Sequence, residues 1–251
     1  MSIETYGVGK RMELVSKGLK STSFPHLVVL PIPTTKDNKH VTNTDILLEQ
    51  ALVNVSKESI VVGYELPPEY KKRIEALGAK VYDVGYDEDF LSKNAYITAL
   101  GALGYILTTV NSELSEIRFG IFGYGRIGQF LTKMLLFLGA KLTIYTSKIL
   151  SRIELGTYGI DSGEARCAPK DACVPEGVDI LINTAPTDMS GIFKDAKIPR
   201  GVRIIELASG NNFGIIEGVE RLPGIPEKFY PISAAEAYVD AIIRLAGENL
   251  K

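Results

Sequence analysis

IRFGIFGYGRIG, residues 117–128, decides the fold. An apolar run reaches Phe122 and stops at Gly123, and Gly125 and Gly128 follow with one and two residues between them. The next stretch, GRIGQFLTKMLLFLG (125–139), has helical spacing, and AKLTIYT (140–146) is strand-like. A G-x-G-x-x-G pattern carries meaning when a strand precedes it and a helix and second strand follow. Each glycine then has its own task. Gly123 makes the tight turn, Gly125 admits a pyrophosphate against the backbone, and Gly128 lets the helix lie close to the strand. Unpaired N–H groups at a helix start, with the dipole behind them, favour an anion. Gly123, Tyr124, Gly125, Arg126, Ile127 and Gly128 are therefore the expected cradle of a nicotinamide dinucleotide.

The end of the second strand selects the dinucleotide. NAD sites place Asp or Glu there to hold the ribose 2′-hydroxyl. Here the positions are Tyr145, Thr146, Ser147 and Lys148, with Arg152 a turn later. No carboxylate repels a 2′-phosphate, and Thr146, Ser147, Lys148 and Arg152 can donate to one. NADP is expected over NAD, with NAD as the second choice. Ligands of parallel sheets lie beyond the carboxyl ends of the strands. Two later strand ends are polar, NTAPTD (183–188) and ELASGNNFG (206–214). They nominate Thr184, Ala185, Pro186, Ala208, Ser209 and Asn211 as further cofactor contacts.

Outward from this point, strands and helices alternate. HLVVLPI (26–32), SIVVGYEL (59–66), AKVYDV (79–84), GVDILINTAP (177–186) and GVRIIELAS (201–209) read as strands. Helices are expected over 43–56 with an Asp45 start, over 67–78, over 87–110 as one helix or two, over 147–159 and over 233–250. Continuous Val/Ile/Leu strands alternating with helices mean parallel sheets covered by helices. The expected class is α/β, with two α/β domains, the second a Rossmann-type parallel sheet with helices on both faces. The expected division is 1–94 and 95–232, with the helix over 233–251 packing back onto the first domain.

The chain has 251 residues, 45% hydrophobic and 23% charged, with net charge −2 and a pI near 5.8. That balance gives no electrostatic footprint for nucleic acid or anionic membrane. Cys167 and Cys173 match no zinc spacing and only two histidines are available, so no metal is expected. The uncharged stretch 95–112 carries too many Thr, Asn, Ser and Gly residues for a membrane span. The N-terminus shows no apolar export segment, which points to the cytoplasm.

With those segments in hand, the chain resembles the A-subunit family of dipicolinate synthase, from spore-forming bacteria. LPIPTTKDN (30–38), NAYITALGAL (94–103), GYGRIG (123–128), LINTAP (181–186), ELASGNNF (206–213) and LPGIPEKFYPISAAEAY (222–238) carry the likeness. The resemblance implies an N-terminal α/β domain, a Rossmann domain and a cleft between them. It also implies NADP, a flavoprotein-like B subunit, and formation of dipicolinate from the cyclic dicarboxylate of the lysine pathway's dihydrodipicolinate synthase step. This sequence departs from the family in several places. Ile97 stands for a proline and Leu100 for a glutamate in the helix motif, Thr146 for an arginine, and SGNN for an S-x-P-G-G loop. The family opens with an extra strand–helix unit. The residues before His26 are read here as carrying no such unit and no glycine loop, which makes the chain a divergent, N-terminally shortened relative.

Hydride transfer asks the protein mainly for positioning. A dicarboxylate asks for donors, best supplied by arginine forks. Residues 24–72 contain no arginine. The substrate-side candidates are therefore Thr34, Thr35 and Asn38 in the loop after the 26–32 strand, and Asn94 and Thr98, one helical turn apart. The acid/base residue is open among Thr98, Asn94 and His40, with Asp188 and Glu206 as alternatives. Tyr96 and Tyr230 read as packing residues. Two other functions stay open: a dinucleotide-binding regulatory or assembly protein without turnover, and an NADP-dependent dehydrogenase of another small hydroxy or amino acid. Helices on the outer sheet edges are compatible with a homodimer.

Overall fold

The computed structural model describes residues 2–164, 177–188, 200–210, 212–214 and 217–247. Cys167, Cys173 and Asn211 lie outside the described residues. In chain order the elements begin with β1 (Ser2–Thr5), α1 (Lys10–Leu19), β2 (His26–Val29) and α2 (Leu48–Ala51). Next come β3 (Ser59–Gly63), α3 (Pro68–Ala76), β4 (Lys80–Asp83) and α4 (Glu88–Thr109). Then follow β5 (Arg118–Phe122), α5 (Arg126–Phe137), β6 (Lys141–Tyr145), α6 (Ile149–Thr157) and β7 (Asp161–Gly163). The remainder is β8 (Ile180–Asn183), β9 (Arg203–Glu206), β10 (Val219–Arg221), α7 (Ile225–Phe229) and α8 (Pro231–Gly247). Two compact units result: Met1–Ile97 with Pro226–Lys251, and Thr98–Ile225. The class is α/β, with parallel sheets flanked by helices.

The first unit holds a parallel sheet in the order β1-β2-β3-β4. Leu27 and Val29 pair with Ile60 and Val62 on one face, where α1 supplies Met12, Val15 and Leu19 and α8 supplies Tyr238, Ala241 and Ile242. Val28, Leu30 and Val61 line the other face under α2 and α3, with Leu48, Tyr70 and Ile74. Each fully buried Val, Leu or Ile contributes about 1.5–3 kcal/mol relative to exposure. Tyr238 is fully buried, and its hydroxyl donates to the Leu30 carbonyl at 2.6 Å, so α8 is keyed to the end of β2. Arg244 of α8 reaches both Asp87 carboxylate oxygens at 2.7 and 2.6 Å, and Asp87 accepts from the Phe90 amide at the start of α4.

This unit corrects two sequence expectations. The strand–helix unit read as missing is present as β1 and α1, joined by Gly7 and Gly9 at φ 104° and 101°. SIET is short and largely polar, so no apolar run announces the strand. The unit is also unusual in hand. Strands β1 to β4 follow in order, yet α1 lies on one face and α2 and α3 on the other. The β1–α1–β2 crossover therefore has the hand opposite to the two that follow, against the strong right-handed preference. The helix expected over 43–56 shrinks to Leu48–Ala51. Asn43 takes a left-handed φ of 59°, Val41 N–H donates to the Ile46 carbonyl, and Leu48 N–H donates to the Lys39 carbonyl. Thr44 Oγ1 donates to the Val41 carbonyl and accepts from the Ile46 N–H, local bonds that compete with a helix.

In the second unit six parallel strands take the order β10-β9-β8-β5-β6-β7. Counted from β5, that is the Rossmann order 3-2-1-4-5-6, with its switch point between β5 and β8. β7 and β10 were not read from sequence, since three residues each give no periodicity. α4 is one helix, not two. Its second half packs Ala99, Ala102, Leu103 and Ile106 into the core with Phe119, Ile121, Leu131 and Ile182, which accounts for the uncharged stretch. Among the described residues no helix is long and apolar enough to cross a membrane.

Candidate functional site

The glycine turn sits at the switch point of the second sheet, and its three glycines differ physically. Gly123 has φ 92°, and its N–H donates to the Tyr145 carbonyl at 2.8 Å. A Cβ there would stand 2.7 Å from Thr184 Oγ1 and 3.0 Å from the Ala185 nitrogen. A Cβ on Gly128 would collide with the Gly123 carbonyl oxygen. A Cβ on Gly125 would meet nothing within 4 Å. Gly125 caps α5 in extended conformation (φ −82°, ψ −169°), with no side-chain hydrogen bond to the helix start. Two glycines are thus required by protein contacts, and the middle one faces open space at the start of α5. A dinucleotide's diphosphate asks for that cradle.

The surroundings of the turn are tightly tied. Thr184 donates through Oγ1 to the Phe122 and Gly123 carbonyls at 3.0 and 3.1 Å. Tyr124 is buried, and burial pushes its phenol up. Ile127 is half-buried, while Gly125 and Arg126 are exposed. Phe122 and Tyr145, paired across β5 and β6, stack with ring centroids 4.9 Å apart.

Beyond β6, Thr146 is buried, and its N–H donates to the Gly163 carbonyl at 3.1 Å. Arg152, half-buried, donates through Nη1 to the Thr146 carbonyl at 2.8 Å. Lys148 N–H donates to Thr146 Oγ1 at 3.3 Å, and Ser147 and Lys148 are exposed. The strand end therefore carries two cations and no carboxylate, with one guanidinium pinned back to the turn.

At the ends of β8 and β9 the structure adds a feature that residue type alone does not give. Asn183 is fully buried, and its Nδ2 donates to Glu206 Oε1 and to the Ala185 carbonyl, each at 3.0 Å. Its Oδ1 accepts from the Ala185 N–H at 3.1 Å. Glu206 is 3% exposed; Oε1 also accepts from the Ala208 N–H at 2.9 Å, while Oε2 is buried without a hydrogen-bond partner among the described residues. Burial pushes the Glu206 carboxyl up, partly offset by the Ala208 amide and Asn183. Ala185 and Ala208 are thus held by an Asn–Glu pair linking two strand ends. Pro186 and Ser209 are exposed beside them.

In the first unit the candidates separate. Thr34 is fully buried; its Oγ1 accepts from the Tyr64 N–H at 2.9 Å, which joins the loop to the end of β3. Thr35 and Asn38 line an open hollow of about 460 Å³ together with Glu65, Asp83 and Tyr86. Two carboxylates on its wall make that hollow unfavourable for a dianion. His40 is half-buried, with Nδ1 2.7 Å from Asp37 Oδ2. The His40 and Lys39 amides and the His40 ring hold the Asp37 carboxyl well below its usual range. Asn94 and Thr98 lie one turn apart on α4, half-buried and buried respectively.

No family model matches the sequence, and no curated protein matches it. Solved structures do. The dipicolinate synthase A subunit from Bacillus halodurans has a TM-score of 0.78 at 18% identity, over 97% of both chains. The A chain of dipicolinate synthase from Bacillus subtilis reaches 0.75 at 17% identity, over 98% of this chain and 95% of that one. A D-isomer specific 2-hydroxyacid dehydrogenase from Xanthobacter autotrophicus Py2, in complex with NADPH and MES, reaches 0.51 at 14% identity over 98% and 95%. The chain thus has the fold of the dipicolinate synthase A subunit.

Proposed function

We propose that this chain is an NADP-dependent oxidoreductase component of the dipicolinate synthase A type, acting on a cyclic dicarboxylate of the dihydrodipicolinate pathway to form dipicolinate in the cytoplasm. The observation that carries the reading is the open face at Gly125, set between two glycines that protein contacts demand. The residues fit the coenzyme. Gly123 to Gly128 would hold the diphosphate, and Thr184, Ala185, Pro186, Ala208 and Ser209 would flank the ribose and nicotinamide. Thr146, Ser147, Lys148 and Arg152 favour a 2′-phosphate, because residues 145–152 carry two cations and no carboxylate.

When bound, the nicotinamide supplies hydride acceptance or donation. The chain's own part is orientation. Asn183 and Glu206 fix the Ala185 and Ala208 loops. Asn94 and Thr98 remain substrate-side candidates on one helix face, with Thr35 and Asn38 weakened by their acidic neighbours. A flavoprotein-like B subunit or a second copy would cover the exposed Ile149, Leu150 and Ile153 of α6.

Purified chain with NADPH or NADP and the cyclic intermediate, with and without a B-type subunit, tests the reading by absorbance at 340 nm. Turnover in either mixture supports it, and a flat trace in both with coenzyme bound favours a binding protein without turnover. That second reading draws on Leu100, where the related motif carries a glutamate. Turnover of other hydroxy or amino acids instead would favour the dehydrogenase alternative.

A further inference from the structure

The first unit contains a buried cation outside the coenzyme site. Arg11, in the first turn of α1, is 6% exposed, and its Nε is buried with no hydrogen-bond partner among the described residues. A buried guanidinium nitrogen without a hydrogen-bond partner is costly, and such groups are ordinarily paired. The Glu227 carboxylate favours the charged form of Arg11, and the Tyr238 hydroxyl does so to a smaller extent. Burial pulls the Arg11 guanidinium down from its ordinary value, with Glu227 opposing.

The helix start beside it has no side-chain cap. α1 is ten residues long, and Gly9 caps it without a side-chain hydrogen bond. A helix N-terminus carries partial positive charge and free N–H groups. Gly9 is held at φ 101°, and a Cβ on it would run into the Glu227 carboxyl. A carboxylate therefore already rests against this turn. The turn also crosses the carboxyl end of the sheet, since a Cβ on Gly7 would stand 2.8 Å from Pro31 Cβ just after β2. Ligands of parallel α/β sheets lie at that edge.

We propose that the Gly7–Arg11 turn is a binding site for the carboxylate of a small organic acid, in which the Arg11 guanidinium and the α1 N–H groups take the ligand and Glu227 swings away. The site supplies the arginine fork that residues 24–72 lack. It rests on the oxidoreductase reading only for the identity of the acid, a pyridine-type dicarboxylate.

Calorimetric titration of the full chain with pyridine-2,6-dicarboxylate, pyridine-2-carboxylate and inorganic phosphate tests it, with NADPH titrated in parallel. Arg11→Gln should weaken dicarboxylate binding by about tenfold or more, since a charge-assisted fork is lost. Arg11→Lys, which keeps the charge and loses the fork, should fall between. Glu227→Gln should tighten binding severalfold by removing the resident competitor. NADPH affinity should stay the same in all three. Unchanged dicarboxylate affinity in Arg11→Gln or Arg11→Lys, weaker binding in Glu227→Gln, or phosphate bound more tightly than either acid would overturn the proposal. Should Arg11→Gln fail to fold by near-ultraviolet circular dichroism, Arg11→Lys and Glu227→Gln decide alone. Loss of NADPH uptake with carboxylate binding intact would instead strike the oxidoreductase reading.

Discussion

Replacing Gly125 by alanine separates ligand binding from folding more cleanly than any other change in the glycine turn. The backbone there is extended, a conformation any residue adopts, and the added methyl meets no protein atom within 4 Å. Two small stability effects oppose each other: alanine caps helices worse than glycine, and it restricts the unfolded chain by about 0.4–1 kcal/mol. The net change in unfolding free energy should stay within about 1 kcal/mol. Binding should suffer far more, because the methyl enters the space a diphosphate would fill. Overpacking by one carbon costs about 1–3 kcal/mol, which is about five- to 150-fold in Kd. Gly128→Ala is the contrast, since its methyl collides with the Gly123 carbonyl oxygen and must push α5 off β5. That variant should lose both stability and binding. Urea unfolding and calorimetric NADPH titration of both variants give the answer. If Gly125→Ala binds NADPH as the unaltered chain does, or loses as much stability as Gly128→Ala, the reasoning fails.

Arg152→Gln removes a guanidinium held at the end of β6, and should weaken NADPH by about tenfold while leaving NADH within about threefold; equal losses for both coenzymes would dismiss a 2′-phosphate role. Glu206 ionises later in the folded chain than unfolded, so its folded state loses stability as pH rises from the ordinary Glu value of about 4.3 through the raised one. Glu206→Gln should remove that slope, so that its stability relative to the unaltered chain improves as pH rises above the ordinary Glu value; parallel curves would contradict the shift. Burial pushes the Asp87 carboxyl up, but Arg244 and the Phe90 amide more than offset it and hold it below the usual range. Its contribution is therefore present above the ordinary Asp value and fades as pH falls, and Asp87→Ala should cost about 3 kcal/mol at pH 7 in urea unfolding. A cost under about 1 kcal/mol would mean that α8 is held by packing alone.

The Rossmann half was legible because its signals are long and agree with one another. IRFGIF, the three glycines and an amphipathic helix all specify one strand–turn–helix unit, and the later strands are plain apolar runs. The first half was less legible. SIET has too little apolar character to be read as a strand, so Gly7 and Gly9 went unrecognised as its turn, and Arg11 with them. A glycine pair followed by ten residues of helical spacing was the available signal. The 43–56 segment misled in the other direction, since its Leu and Val spacing suits a helix while Asn43 and Thr44 fold the backbone locally. Thr34 was nominated as a polar residue in a loop, and residue type gave no sign that its hydroxyl closes a contact with Tyr64. Burial likewise sets Glu206 and Asp87 apart from the exposed carboxylates, and burial of a polar group is not written in local pattern.

Calorimetric titration of the full chain with NADPH, and then with NADH, tests the central claim most directly. The account predicts saturable uptake of one coenzyme per chain, tighter for NADPH. Folded protein that takes up neither coenzyme, in the reduced or the oxidised form, would contradict it.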